Sequence, residues 1–403
     1  MLFLEKPIIN DLVKSDQNNQ VHLAVIGKDL LILDIVKLAI NNSVYLHRNR
    51  IVIDIFSPDS PSLLDEFCSS LHPTVSKEIK VCDCGFSLKL DGIADGQLEI
   101  RVLNSNTPLI EWLNSQSYEL PFTYFLLADQ CEANNMRSLE VLLGYVPKMY
   151  EKINKDAPTI VIYGTDIGRY LEILSPSPLG SGKLWFQSHG SLALDIPKKG
   201  AELMQLMKYN HYYNILSSSF AYAGELNLEA SDLEMSQSWN CLSEEKKMSN
   251  TFACWHLPLK SEIVISSLAE ELLDKDAGFS EMPAGDILKE YLHLFCDLDI
   301  SGDSYDFKSW GECGNLVRSS LLSNSTMRSL MELEHRRWSY FSIMNGWGYT
   351  EGEKDNDKKL SPYLCSFEKL SEEYPDVTIW DLIGYLVLMI NGKSTVESKS
   401  KPV

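Results

Sequence analysis

The sequence predicts an α/β domain built on a parallel sheet, followed by a mainly helical region. Three observations lead there. Residues 21–26 form an apolar run ending at Gly27, and residues 28–41 place Leu30, Leu31, Ile35, Leu38 and Ala39 on one helical stripe. Residues 51–56 form a second apolar run, stopped by Ser57, Pro58 and Asp59. Beyond about residue 215 the β-branched runs fade and helical spacing takes over.

The opening strand–glycine–helix–strand unit is how a doubly wound sheet begins. Residues 98–103, 122–128, 159–163 and 184–187 continue it as strands, with a helix over 135–153 between the middle two. Residues 60–93 read as helix plus irregular structure. Together these predict a Rossmann-like domain over 1–215. Helical stretches at 263–273, 287–296 and 326–344 define a second region over 216–392, with a Ser-rich loop at 318–325. The tail, 393–403, is Ser- and Lys-rich without apolar periodicity, and disorder is expected there. A chain of 403 residues exceeds what one core usually serves, so two domains are expected.

Charge excludes some partners. The chain carries 56 acidic and 36 basic residues, a formal net charge of −20. Such a field repels nucleic-acid polymers and anionic membranes. A small nucleotide is different, because a few local cations and a helix N-terminus can hold one phosphate. The nine cysteines are odd in number and scattered, and the one close pair, Cys82 and Cys84, has no second pair or His cluster to complete a zinc site. Reduced thiols in a cytoplasmic protein are expected. Residues 1–7 lack the basic-then-apolar pattern of a signal peptide, and no run approaches the ~20 apolar residues that span a bilayer.

A dinucleotide fingerprint needs three glycines after the first strand, since side chains there block the pyrophosphate. Here only Gly27 is present, followed by Lys28, Asp29 and Leu30. Asp54 lies near the place of the ribose-binding acid, but inside its strand, with Ile55 at the usual position. If an NAD-type dinucleotide binds, Gly27, Lys28 and Asp54 are its candidate contacts; otherwise the fold is intact and its site degenerate. Gly164 and Gly168 form a lone G-x-x-x-G. Gly180, Gly182 and Lys183 lack the rest of a P-loop, and that reading is rejected.

Near the C-terminus several short motifs occur in order. Glu334, His335 and Trp338 form E-H-x-x-W; Gly346, Trp347, Gly348 and Tyr349 follow; then come the Lys354–Asp355–Asp357–Lys358–Lys359 loop, Leu360–Ser361–Pro362, and Leu370 with Glu372 and Glu373. Over about 65 residues this resembles the ryanodine-receptor (RyR) repeat. Ser361 stands where the family commonly has His, Phe367 where it has Trp or Tyr, and Thr350 where it has Gly, and the loop is one residue longer. A second stretch, 239–250 with His256 and Pro258 beyond it, is similar to the closing half of such a repeat.

The layout also resembles prokaryotic proteins that pair this repeat with an RCK/TrkA-N-type Rossmann domain. That resemblance implies a sensor of a small nucleotide-like ligand in stress or antiviral defence signalling, working as a homo-oligomer or through a membrane or effector partner. On the residues themselves, Glu334, His335, Arg337, Trp338, Trp347, Tyr349 and Lys358 are the candidate ligand contacts. The tryptophans and Tyr349 can stack a base and the cations can meet phosphate. The bland reading stays beside it. Trp338 and Trp347 can be core, His335 a satisfied structural histidine, Glu332 and Arg336 a solvated pair, and the loop's lysines are nearly cancelled by Asp355 and Asp357.

No nucleophile–base motif is present: there is no G-x-S-x-G and no H-E-x-x-H, and His189 between Ser188 and Ser191 has no recognisable context. No metal site is expected. A non-catalytic sensor is therefore the first expectation, with an NAD(P)-dependent oxidoreductase and a protein-interaction scaffold as alternatives.

Overall fold

The computed structural model describes residues 20–28, 32–43, 50–82, 85–91, 97–104, 108–115, 122–129, 131–153, 158–164, 184–188, 200–219, 231–264, 286–287, 290, 322–380 and 382. The chain divides into two compact units. One comprises Met1–Asp195 with Ser339–Ser366, the other Ile196–Trp338 with Phe367–Val403.

The first unit is α/β. Its described strands are β1 (Gln20–Ile26), β2 (Arg50–Ser57), β3 (Ile79–Cys82), β4 (Gly85–Asp91), β5 (Gln97–Asn104), β6 (Tyr124–Leu127), β7 (Thr159–Gly164) and β8 (Leu184–Ser188). They form one sheet in the order β3-β4-β5-β2-β1-β6-β7-β8. β5, β2, β1, β6, β7 and β8 are mutually parallel, and β3 and β4 join antiparallel at the β5 edge. Leaving out that hairpin, the parallel strands run 3-2-1-4-5-6 in chain order, the doubly wound, Rossmann-like arrangement. The helices are α1 (Ile32–Ser43), α2 (Ser60–Ser70), α3 (Pro73–Ser76), α4 (Leu109–Ser115) and α5 (Glu132–Ile153).

One face of the sheet packs on α4 and α5. Ala24, Ile26, Phe56, Phe125, Leu127, Ile160 and Ile162 meet Trp112, Leu113, Leu139, Leu142 and Val146 in a single buried cluster. Trp112 stacks on Phe56 at 5.2 Å, and the Tyr145 hydroxyl donates to the Leu113 carbonyl at 2.9 Å. The expected strands and the long helix are present, with ends shifted by a few residues. The difference lies in 60–93, where α2 and α3 are followed by the β3–β4 hairpin. β4 buries Phe86, Leu88 and Leu90 and alternates them with Ser87 and Lys89, a period of two.

The second unit is helical among its described residues: α6 (Gly200–Ser219), α7 (Asp232–Asn240), α8 (Glu244–Trp255), α9 (Leu257–Ile263), the first part of α10 (Ser325–Met344) and α11 (Phe367–Glu373). Ser231 and Glu234 close a reciprocal capping box on α7, and Ser243 caps α8. Asn210 of α6 donates to Ser238 of α7 at 3.0 Å and accepts from Asn250 of α8 at 3.2 Å, tying three helices through one buried amide. The division between units falls inside α10, after Trp338. β9 (Gly348–Tyr349) and β10 (Leu360–Ser361) form a two-stranded parallel sheet on an excursion that belongs to the α/β unit. The expected helices over 263–273 and 287–296 lie almost wholly outside the described residues. So do the tail, 393–403, and the residues around Gly168, Gly182 and His189.

Candidate functional site

Helix α10 supplies the E-H-x-x-W residues, and its interior places them against other side chains. Arg337 donates to Glu334 through Nε (2.9 Å) and Nη2 (2.7 Å), three residues along the same helix. Lys260 of α9 donates to the same carboxylate at 2.8 Å. All three side chains are essentially sealed from water, at 0–4% exposure. Burial alone raises the Glu334 carboxyl, but Arg337 and Lys260 outweigh it and hold the group well below the usual carboxylate range. The cluster touches its neighbours electrically: burial first, then the Glu334 charge, pushes the Cys254 thiol and the Tyr209 hydroxyl up. Neither is thereby poised as a nucleophile.

His335 is buried, with Trp338 stacked 6.1 Å from it and Phe367 at 6.1 Å on another side. Trp338 is half-buried. Of the pair expected to be solvated, Arg336 is buried instead: its guanidinium side chain is 2% exposed and reaches Glu332, itself 32% exposed, at 2.8 Å.

The remaining candidate ligand contacts sit on the excursion. Gly346 ends α10 at φ 87°, its amide donating to Ile343 and that of Trp347 to Ser342, both at 3.0 Å; this paired closure needs a left-handed residue. Trp347 is half-buried, with the Lys354 ammonium 5.2 Å from its ring centroid. Tyr349 is 37% exposed. Lys358 pairs with Asp355 at 3.1 Å and its amide donates to the same carboxylate at 2.9 Å; that backbone bond, more than the charge, holds Asp355 below its usual range. Lys359 donates to the Asn345 carbonyl at 2.7 Å. The excursion is thus hydrogen-bonded at its base and carries both signs of charge at its rim, Lys354 and Lys358 alternating with Glu351, Glu353, Asp355 and Asp357.

At the switch point between β1 and β6 the dinucleotide candidates have other work. The Gly27 amide donates to the Phe56 carbonyl at 3.1 Å. Gly27 has φ 151°, and a Cβ there would overlap the Ala128 carbonyl. The glycine is therefore explained by the close approach of two backbones. Lys28 is exposed. Asp54 is fully buried in mid-strand: Arg101 of β5 reaches it through Nε (2.5 Å) and Nη2 (2.7 Å), and His22 of β1 at 2.9 Å. Across the crevice, Asp129 accepts from the Cys131 amide (2.8 Å) and Asn134 (3.2 Å), while Asn135 brackets its backbone.

Sequence reasoning missed Lys260, Arg101, His22 and His72. Arg101 left a signal, a charge inside an apolar strand matching Asp54 inside another. Lys260 left none.

Among the described residues no group of three His, Cys, Asp or Glu could hold a metal ion, and no helix is long and apolar enough to cross a membrane. No family model, curated protein or solved structure matches the chain.

Proposed function

We propose that this chain is a non-catalytic regulatory protein that senses a small nucleotide-like ligand through its RyR-like segment. The reading is carried by one observation: the half-buried Trp347 ring lies beneath the Lys354 ammonium, 5.2 Å from its centroid, and two residues on, exposed Tyr349 lies in β9. An aromatic face with a cation over it suits a ligand that is both planar and anionic. The base stacks on Trp347, and the displaced ammonium meets phosphate; stacking of this kind is worth about 1–3 kcal/mol per base. Tyr349, exposed, and Lys358, paired with Asp355, are the further candidate contacts on this excursion. Glu334, His335 and Arg337, buried within the helical unit, then serve its packing. The RyR and TrkA-N resemblance supports a role in cytoplasmic stress or antiviral defence signalling, with a homo-oligomer or effector partner as the output.

A thermal-shift panel of ADP-ribose, ATP, NAD, NADP and cyclic oligonucleotides tests this. A native-state ligand at 100 times its Kd adds about 2.7 kcal/mol of stability. A shift lost in Trp347→Ala and kept in Asp54→Asn supports the reading, and silence across the panel turns it toward an interaction scaffold.

The strand order 3-2-1-4-5-6 favours a second reading, an NAD(P)-dependent oxidoreductase with cofactor at the switch point. Two features weigh against it. The Gly27 amide is engaged by Phe56, and Asp54 is engaged by Arg101 and His22.

A further inference from the structure

We propose that His72, on the connection between α2 and α3, and Thr74 in the first turn of α3 are the positioning residues that seat the Trp347 excursion on the α/β unit. The functional half of this rests on the ligand-sensing reading; the structural half does not.

Trp347 lies between two glycines, and both press on this connection. A Cβ on Gly348 would stand 2.5 Å from His72 Nδ1, 2.7 Å from its Cγ and 2.9 Å from Thr74 Oγ1, and one on Gly346 would stand 3.1 Å from the Ser70 carbonyl. No side chain larger than hydrogen fits at Gly348 without moving the imidazole. Strand β9 therefore lies directly on the His72 ring.

The ring is itself fixed. His72 caps α3, its Nδ1 accepting from the Thr74 amide at 3.3 Å and lying 2.8 Å from Thr74 Oγ1. On the far side, the Gly348 amide donates to the Lys359 carbonyl at 2.8 Å, which fixes β9 against β10. The excursion is held between its own small sheet and a capped turn more than 270 positions earlier in the chain.

The connection is well placed to read Trp347. It continues α2, whose Phe67 packs edge-on against Phe86 of β4 at 5.5 Å, and α2 begins just past the end of β2, where the Asp59 amide donates to Ser57 Oγ at 3.2 Å. A ligand that stiffens or displaces Trp347 acts first on Gly348, then on His72, then on a helix docked to the sheet. This contact gives the sensor a route from ligand to fold.

Full-length His72→Ala, His72→Asn and Gly348→Ala proteins test it by hydrogen exchange over residues 346–361 without ligand, and by calorimetry with ADP-ribose. His72→Ala and Gly348→Ala are expected to speed exchange in that segment and to weaken ADP-ribose about fivefold, the fold-change that loss of one helix cap corresponds to. His72→Asn, whose amide oxygen can cap Thr74, stays near wild type. Exchange over 346–361 that is unchanged in both His72→Ala and Gly348→Ala overturns the proposal. Faster exchange in a protein that never binds ADP-ribose supports the seat and counts against the ligand reading.

Discussion

Lys260 and Glu334 are 74 residues apart in the chain, yet their charged atoms meet at 2.8 Å with both side chains sealed from water. Arg337 closes the same carboxylate from the other side. Burying charges costs several kcal/mol per ion, so such a cluster survives only because each partner is hydrogen-bonded. Its value lies in fixing one packing of α9 against α10, which a purely apolar contact would fix less uniquely.

Breaking it by one partner should therefore be severe. Glu334→Gln leaves Lys260 and Arg337 without their shared anion and should cost about 3–5 kcal/mol in denaturant unfolding. Lys260→Met should cost less, because Arg337 still holds the carboxylate.

The same cluster sets a pH signature. The folded-state pKa of Glu334 is depressed, so the unfolded chain takes up this proton first. The carboxylate's contribution is complete above the unfolded value of about 4.3 and is lost as pH falls through and below it. Wild-type stability should begin to fall near about pH 4 and keep falling below about pH 3, because the folded-state carboxyl titrates well below its usual range, and Glu334→Gln should start lower at pH 7 and fall more gently as the pH is lowered.

Asp54 makes a parallel case inside the sheet. Asp54→Ala leaves His22 and Arg101 facing an apolar void, and urea unfolding should show a loss of about 3 kcal/mol or more. Its ligand response should match wild type, since the carboxylate serves the strands. A ligand response that disappears with the stability intact would restore Asp54 as a binding residue.

Gly27→Ala should destabilise for two reasons at once, the positive φ and the overlap with Ala128. A loss of about 1–3 kcal/mol from backbone strain alone is expected in the unfolding midpoint, before the overlap is counted. A neutral result would mean that β1 and β6 can separate locally at no cost.

The parallel strands were legible because buried strands write continuous apolar runs, as Val21 to Ile26 and Ile51 to Phe56 do. The β3–β4 hairpin was missed because Ile79–Cys82 is four residues long and the alternation of Phe86, Leu88 and Leu90 sits in a segment dominated by turn residues. Within the candidate site, local spacing revealed that Glu334, His335 and Trp338 share a helix, but it could not reveal burial. That depends on Lys260 and Phe367, brought in from other helices. Gly348 is explained by His72, since a Cβ there would stand 2.5 Å from the imidazole Nδ1. Close approach across the fold leaves no periodic trace.

The central claim is that Trp347 reads the ligand. Titration calorimetry of ADP-ribose into wild-type, Trp347→Ala and Gly27→Ala proteins addresses it directly. Wild type and Gly27→Ala should bind with similar Kd at a temperature where both are folded, and Trp347→Ala should bind about 5- to 150-fold more weakly, the loss of one stacked base. Equal binding by Trp347→Ala, or binding lost only in Gly27→Ala, would contradict the account and move the site to the switch point of the sheet.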